Sequence, residues 1–284
     1  MVIRKDFRRK VSVQKPNFMS YWSITGILIA VNVVLFFLFS IIIKIFPSSF
    51  NLIAVQSANV LSGQNIWTLF TSMFMHAGFF HLFVNMFSLF FLGSLTEKII
   101  GRKRFFWFYL IAGLFGSLFF VLLAFSGQYI PRGEFLFGSV NDYAVGASGA
   151  IFGLLGILAT LLPRKEIYLI VGPLVVIILQ FALGHFIPAA SGAIDIFASI
   201  LIFVMIFSMF SLNPFLRRIA LPVRLQFWLA PIVAIVPLFI ITFFVKLPIG
   251  NSAHLGGLIV GLAYGYYLRS KYKQKVKLLN KVIR

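Results

Sequence analysis

The hydrophobic positions of this chain form long runs separated by short polar segments. The runs are about 20 residues long, which is the length a helix needs to cross a hydrocarbon layer of about 30 Å. They predict eight helices, near residues 21–45, 79–97, 104–127, 146–163, 166–187, 192–212, 226–248 and 252–270. Membrane strands would instead alternate apolar and polar residues over about ten positions, and the sequence lacks that pattern. We therefore predict an all-α polytopic membrane protein.

Composition supports this prediction. Of the 284 residues, 61% are hydrophobic and 11% are charged, whereas soluble domains contain about 25% charged residues. We predict a transmembrane domain at 21–270 between short basic tails at 1–20 and 271–284. The first run is long and has no small-residue cleavage site, so it indicates a retained helix and not a signal peptide.

The basic residues are distributed unevenly across the predicted membrane. The net charge is +19, and all but three of the 25 Lys and Arg residues fall on the side that holds both tails; the exceptions are Lys44, Arg132 and Lys246. Such asymmetry predicts that both termini are cytoplasmic. Basic tails also favour anionic lipid headgroups, so the charge does not call for nucleic acid as a partner. The lack of a targeting sequence favours a prokaryotic cell membrane.

Polar side chains within the apolar runs are the candidates for function, because such groups are costly at that depth. His81 and Asn85 lie in the second predicted helix, Ser148 begins the fourth, and His254 begins the last. All three helices enter from the side opposite the tails, so these residues are expected at similar depth. The chain has no cysteine, which excludes disulfides, thiol catalysis and thiolate metal sites.

Small residues predict close packing of the fourth and last helices. Stripes of small residues let membrane helices approach closely. The two stripes are Gly149, Gly153 and Gly156 after Ser148, and Ala253, Gly257, Gly261 and Gly265 around His254. If these stripes meet, Ser148 and His254 face each other.

A serine hydroxyl becomes a useful nucleophile when a base within hydrogen-bond reach takes its proton, and histidine suits that role. Asp142 and Asp195 are expected in loops, so the sequence predicts a dyad without a third carboxylate. Phe152, one turn after Ser148, could pack on the imidazole. The alternative is a serine that only bonds to a carbonyl of its own helix.

His81 and Asn85 are spaced i, i+4 and share one helix face. With the Ser148 backbone N–H they could form an oxyanion hole, in which each donor is worth about 2.7–4 kcal/mol. The alternative is an interhelical hydrogen bond worth about 0.6 kcal/mol. His185 and Asp195 offer a rival site, as a proton relay or a substitute base, against the interpretation of His185 as an interfacial histidine.

These motifs resemble those of rhomboid-family intramembrane serine proteases. The resemblance rests on Gly146-Ala147-Ser148-Gly149 with Phe152-Gly153, on His76 and His81-x-x-x-Asn85, on Glu97 with Gly101, and on Ala253-His254-x-x-Gly257-x-x-x-Gly261. It implies a six-helix core that cleaves transmembrane protein substrates in the lipid bilayer near the outer face. It further implies Ser148 as nucleophile, His254 as base, His81 and Asn85 in the oxyanion hole, and no metal or cofactor.

Two features depart from the family pattern. Trp67-Thr68 stands where the family has a Trp-Arg pair, which puts the anchoring of the first loop in question. Three helices are predicted between the serine and histidine helices where the six-helix form has one. The extra pair is either 166–212 or 192–248 in the sequence. A pair preserves the side from which His254 enters.

Two other functions remain possible from the sequence. A non-cleaving rhomboid-like protein would bind transmembrane segments, although such relatives typically lose the serine or the histidine. A small-solute transporter would show paired interruptions of its helices, and the polar residues here instead cluster near one face.

Overall fold

The computed structural model describes residues 23–244 and 250–282, without the side chains of Leu169, Leu174, Ala182 and His185. The predicted tail at 1–20 and Lys246 lie outside the described residues. In the described part of the chain, eight long helices follow the apolar runs: α1 Ile24–Ile45, α2 Phe79–Ile100, α3 Arg102–Gly127, α4 Ser148–Leu161, α5 Gly172–Phe186, α6 Ser191–Ser208, α7 Ala230–Phe244 and α8 Asn251–Lys271. A ninth helix, α9, spans Lys273–Val282.

Within the described residues, four segments are long and apolar enough to cross a membrane: α1, α2, α3 and Pro188–Ser208, which ends in α6. Helices α4 and α7 are apolar but shorter. The chain is an all-α polytopic membrane protein, as the sequence predicts. We call the membrane side at which α1 and α3 begin the basic side, and the opposite side, at which α2, α4 and α8 begin, the site side.

Helix α4 occupies the centre of the bundle. Nearly all of its residues from Gly149 to Leu161 are buried, and it packs against α3 and α8. Leu154, Ile157 and Leu158 are fully inaccessible, whereas α1 exposes large apolar side chains such as Phe37 and Ile41 to the surroundings. The helix that begins with Ser148 is therefore shielded by protein along its length.

Helices α4 and α8 run parallel and touch through their backbones. A Cβ atom added at Gly257 would overlap the carbonyl oxygen of Gly149, and one added at Gly261 would overlap that of Gly153. Only a hydrogen atom fits at these two positions. The small-residue stripes of the two helices thus lie against each other.

A buried carboxylate fixes the start of α1 on the basic side. Glu97 accepts hydrogen bonds from the backbone N–H groups of Ile24 and Thr25, each at 2.9 Å, and from the Thr25 hydroxyl at 2.7 Å. The first N–H groups of a helix have no partner within the helix, and a negative charge is favourable there. Glu97 thus joins α2 to α1, far along α2 from His81.

The structure corrects the sequence prediction beside α5 and α7. The predicted helices at 166–187 and 226–248 include residues that form an antiparallel pair of strands, β3 Glu166–Ile170 and β4 Pro222–Gln226. Arg224 forms an ion pair with Glu166 across the pair. The β3 residues Ile167 and Tyr168 suit a pleated surface, but their apolar character also extends the helical run. The partner strand, more than 50 residues later, decides between the two structures.

The β3–β4 ribbon identifies the extra helix pair as α5 and α6, because it encloses them between α4 and α7. Helix α7 packs on α4 and α8, whereas α5 and α6 pack on each other and on α2. Phe83 of α2 lies 5.4 Å from Phe203 and 5.8 Å from Phe207 of α6, between ring centroids. The inserted pair therefore flanks the helix that carries His81 and Asn85.

The loop between α1 and α2 is tied to the segment that leads into α4. Strand β1, Val55–Gln56, pairs with strand β2, Tyr143–Ala144. The Trp67 indole donates to the carbonyl of Leu52 at 2.9 Å, so Trp67 anchors this loop even though Thr68 follows it. Short helical turns lie at Pro47–Ser49, Phe50–Ile53, Ser57–Leu61, Thr68–Thr71, Ser72–Phe74, Gly133–Phe137, Pro188–Ala190, Pro214–Arg217 and Arg218–Ala220.

Candidate active site

Ser148 and His254 lie within hydrogen-bond distance at the site side of the bundle. The Ser148 Oγ is 2.8 Å from the His254 Nε2. His254 is 9% exposed, and its Nδ1 has no hydrogen-bond partner among the described residues. For Nε2 to accept the serine proton, the ring proton must reside on Nδ1. The geometry is that of a dyad, with no described carboxylate at the second ring nitrogen.

Phe152 stacks on the imidazole of His254 and restricts its orientation. Its ring stacks on that of His254 with centroids 4.3 Å apart and an interplanar angle of 15°. Phe152 lies one turn after Ser148 on α4, so the same helix supplies the hydroxyl and the surface on which the histidine rests. The close contact of Gly257 with Gly149 fixes the spacing of the two helices one turn after His254.

The backbone before Ser148 turns sharply at Gly146. Its φ is +122°, a conformation that residues other than glycine rarely adopt. Its N–H donates to the carbonyl of Ser72 at 2.9 Å. The turn ends at Ser148, which begins α4 and whose backbone N–H belongs to the unpaired first turn of the helix. The N-terminal end of α4 thus presents partial positive charge beside the Ser148 hydroxyl.

His81 lies beside this turn. A Cβ added at Gly146 would come within 2.9 Å of His81 Nε2, so the ring occupies space that only glycine leaves open. The Nδ1 of His81 accepts a hydrogen bond from the Ala77 N–H at 3.4 Å. In the neutral ring the proton then resides on Nε2, which faces the segment leading to Ser148.

Asn85 is buried one turn further along α2, and its amide donates to the His81 carbonyl at 2.8 Å. One of its two N–H groups is therefore engaged within α2, and the second remains for another acceptor. The i, i+4 spacing places His81 and Asn85 on one face of the helix. His81 lies against the turn before Ser148.

His76, which has no role predicted from the sequence, lies against His81. Its ring meets that of His81 edge-on with centroids 5.2 Å apart. His76 is 4% exposed, and neither ring nitrogen has a partner among the described residues. The sequence shows His76 five residues before His81, but its burial and its contact with the His81 ring depend on how the loop before α2 folds.

The structure describes only one of the two side chains of the rival site. Asp195 lies in the second turn of α6 and not in a loop, and it accepts a hydrogen bond from the Gln180 amide of α5 at 2.9 Å. The side chain of His185 lies outside the described part of the chain. Asp142 does lie in the loop before α4, where it accepts a hydrogen bond from the Ser139 N–H at 2.8 Å. Phe152 and the small residues named in the sequence analysis all lie at the Ser148–His254 contact or along the α4–α8 interface.

The fold and the site define a polytopic helical membrane protein with a serine–histidine pair near one membrane surface. A family model described as the rhomboid domain matches residues 63–198 and 186–271. The chain belongs to the rhomboid family.

Individual relatives share parts of this chain. RHOMBOID-like protein 1 of Arabidopsis thaliana is 38% identical over 116 residues, covering 40% of this chain and 26% of that protein. Rhomboid protease GluP of Bacillus subtilis (strain 168) is 29% identical over 196 residues, or 65% of this chain and 34% of that protein. Inactive RHOMBOID-like protein 8 of Arabidopsis thaliana is 38% identical over 78 residues, 28% of this chain and 22% of that protein. The chain thus spans about a third or less of the length of these relatives, and the family contains proteins named as proteases and as inactive.

Proposed function

We propose that this chain is an intramembrane serine endopeptidase that cleaves transmembrane segments near the site side of the membrane. The observation that carries the proposal is the 2.8 Å contact between Ser148 Oγ and His254 Nε2, made on helices that are locked together by backbone contact. The family contains proteins named as proteases, GluP among them. A histidine at this distance is within reach of the serine proton.

In the first step, His254 Nε2 takes the Ser148 hydroxyl proton as Oγ attacks the carbonyl carbon of the scissile peptide bond. The bond from carbon to nitrogen then breaks, and the leaving amine takes the proton from Nε2. Water attacks the resulting ester, gives its proton to Nε2, and releases the carboxylic acid with return of the proton to Ser148. Phe152 keeps the imidazole oriented, a task that a carboxylate performs in soluble triads.

Negative charge develops on the carbonyl oxygen when Oγ attacks. We assign its stabilisation to three donors: the Ser148 backbone N–H, the His81 Nε2–H and the second amide N–H of Asn85. The His81 tautomer supports this role, because its Nδ1 accepts the Ala77 N–H. Each preorganised donor of this kind is worth about 2.7–4 kcal/mol in the transition state.

The basic side of the membrane is assigned to the cytoplasm because cytoplasmic segments collect Lys and Arg. Cleavage would then take place near the outer face. The chain itself supplies the nucleophile, the base and the donors, so the proposed reaction involves no metal or cofactor. The substrates would be proteins with a membrane-spanning segment, and the lipid bilayer is the medium of the reaction.

The test is cleavage of a model single-span substrate in liposomes by the wild type and by Ser148→Ala and His254→Ala. Both variants are expected to lose cleavage, whereas Ser126→Ala, a control serine whose hydroxyl bonds to a carbonyl of its own helix, should retain it. A fluorophosphonate probe should label the wild type at Ser148 and leave Ser148→Ala unlabelled. Cleavage that survives Ser148→Ala contradicts the mechanism. A folded wild type that neither cuts nor takes the probe supports a non-cleaving binder of transmembrane segments.

A further inference from the structure

Three cations surround one aromatic ring on the basic side of the membrane. Arg104, in the first turn of α3, donates from Nη2 to the Tyr272 hydroxyl at 3.0 Å, and its guanidinium carbon lies 5.3 Å from the ring centroid. The Nζ atoms of Lys271 and Lys275 lie 5.9 and 5.8 Å from the same centroid. All three cations are exposed. We refer to Arg104, Lys271, Lys275 and Tyr272 as the Tyr272 cluster.

The described chain provides no carboxylate for these cations. Glu97 and Glu166 are the acidic residues on the basic side within the described ranges, and they pair with Arg102 and Arg224. The other described acidic residues are on the site side: Glu134, Asp142 and Asp195. Lys271 also donates to the Tyr267 hydroxyl at 2.7 Å and lies 5.2 Å from the centroid of that ring. Like charges so close together repel one another, and the faces of two tyrosine rings offset this only in part. The arrangement is therefore complementary to an anion.

The position of the cluster places that anion at the membrane boundary. Arg104 stands where α3 begins and Lys271 where α8 ends, so the cluster lies at the level where the apolar helices give way to polar chain. Helix α9 is held against the bundle there: Asn280 donates to the carbonyl of Leu161, the last residue of α4, at 2.7 Å. Val276 and Leu279 pack on the core.

Helix α9 also carries an apolar stripe next to the cluster. Lys275, Leu278 and Val282 are spaced three and four residues apart and thus share one face. Leu278 is 60% exposed and Val282 is 81% exposed. The cations are complementary to the headgroup phosphate of a phospholipid, and the exposed apolar side chains beside them are complementary to the start of its acyl chains.

We propose that the Tyr272 cluster is a binding site for the phosphate of an anionic phospholipid in the leaflet on the basic side. Arg104 contributes a planar fork that matches phosphate oxygens, and the two lysines contribute point charges. Anionic lipids are attracted to basic segments next to membrane helices. The site lies at the other end of the bundle from Ser148 and does not depend on the proposed proteolysis.

The test compares two triple variants of the full chain that remove the same charge. Arg104→Gln with Lys271→Gln and Lys275→Gln removes the cluster. Lys273→Gln with Lys277→Gln and Lys281→Gln removes three cations of α9 that lie outside the Tyr272 cluster. Each protein is titrated in neutral detergent with phosphatidylglycerol or phosphatidylcholine. Bound lipid is counted by native mass spectrometry, and the thermal unfolding midpoint is measured in parallel.

We expect the wild type to bind phosphatidylglycerol in preference to phosphatidylcholine and to gain thermal stability from it. The cluster variant should bind it at least tenfold more weakly, and the control variant should stay within about threefold of the wild type. Equal losses in both variants, or equal binding of the two lipids, would overturn a specific site. Protection by soluble glycerol phosphate as strong as that by the lipid would show a site for a soluble anion instead.

A milder variant covers the case in which the triple change prevents folding. Lys275→Gln alone removes one of the three cations that hold the phosphate and should weaken phosphatidylglycerol binding about fivefold. Unchanged binding by a folded Lys275→Gln protein would contradict its place in the site.

Discussion

Gly257 sets the distance between the nucleophile and the base, and Gly257→Ala tests this directly. The added Cβ would overlap the carbonyl oxygen of Gly149 and lie 2.7 Å from its carbonyl carbon. Both are backbone atoms of a buried helix, so no side-chain rotation can relieve the contact. Helices α4 and α8 would have to separate by roughly 1 Å or more to restore ordinary van der Waals distances.

That separation acts on the catalytic contact, because His254 precedes Gly257 by one turn of α8 and Ser148 precedes Gly149 on α4. A Ser148–His254 distance of 2.8 Å would lengthen beyond the hydrogen-bond range. A misplacement of about 1 Å can lower a rate by about 100-fold, and overpacking of a core destabilises a fold by about 1–3 kcal/mol. We therefore expect the cleavage rate to fall about 100-fold and the unfolding free energy to fall by about 1–3 kcal/mol.

The assay is single-turnover cleavage of a liposome-embedded substrate, together with the thermal unfolding midpoint of each protein. Gly184→Ala is the matched control, since no described atom lies within 4 Å of a Cβ added at this glycine of α5. The control should retain both rate and stability. A Gly257→Ala protein that cleaves at the wild-type rate would refute the argument that the α4–α8 backbone contact sets the dyad geometry.

Three further substitutions test separate parts of the site and fold. Phe152→Leu removes the stacking partner of His254 and keeps an apolar side chain. An aromatic contact is worth about 0.5–1.5 kcal/mol, so we expect a cleavage rate about 2–10-fold lower and a loss of unfolding free energy no larger than that contact. An unchanged rate would argue against a role for the stacking. Gly146→Ala combines an unfavourable φ with a collision between the added Cβ and the His81 ring 2.8 Å away, so cleavage should be lost. Gly63→Ala also places alanine at positive φ, but no described atom lies within 4 Å of its added Cβ. This control should therefore show the effect of backbone strain alone on the cleavage rate and the melting midpoint. Equal effects of these two changes would contradict the proposed His81 contact. Phe207→Ala should lower the unfolding free energy by about 1–2 kcal/mol, because a half-exposed phenylalanine contributes less to stability than a buried one. Phe197→Ala, on an exposed part of α6, should leave the unfolding free energy unchanged. Equal melting midpoints of the two variants would argue against the packing of α6 on α2.

The candidate site was largely predictable because its residues carry local signals. Polar side chains stand out in apolar helices, and their positions near helix beginnings follow from the alternation of the helices across the membrane. Ser148, His254 and Phe152 could be named from spacing alone, and the structure brings the three together. The contact of His76 with His81 and the hydrogen bond from Ala77 could not be named, because they depend on how the loop before α2 folds back on its first turn.

The sequence by itself determined that the chain is a helical membrane protein, which residues are polar at membrane depth and which helices carry small residues. These properties depend on hydrophobic length and local composition, which each segment possesses independently of the rest. Only the tertiary structure decided that 166–170 is a strand and that α5 and α6 form the inserted pair on α2. It also decided that Asn280 of α9 donates a hydrogen bond to the carbonyl of Leu161 at the end of α4. In each of these cases the deciding partner is distant in the chain, and its contribution to the free energy exists only after the helices have packed.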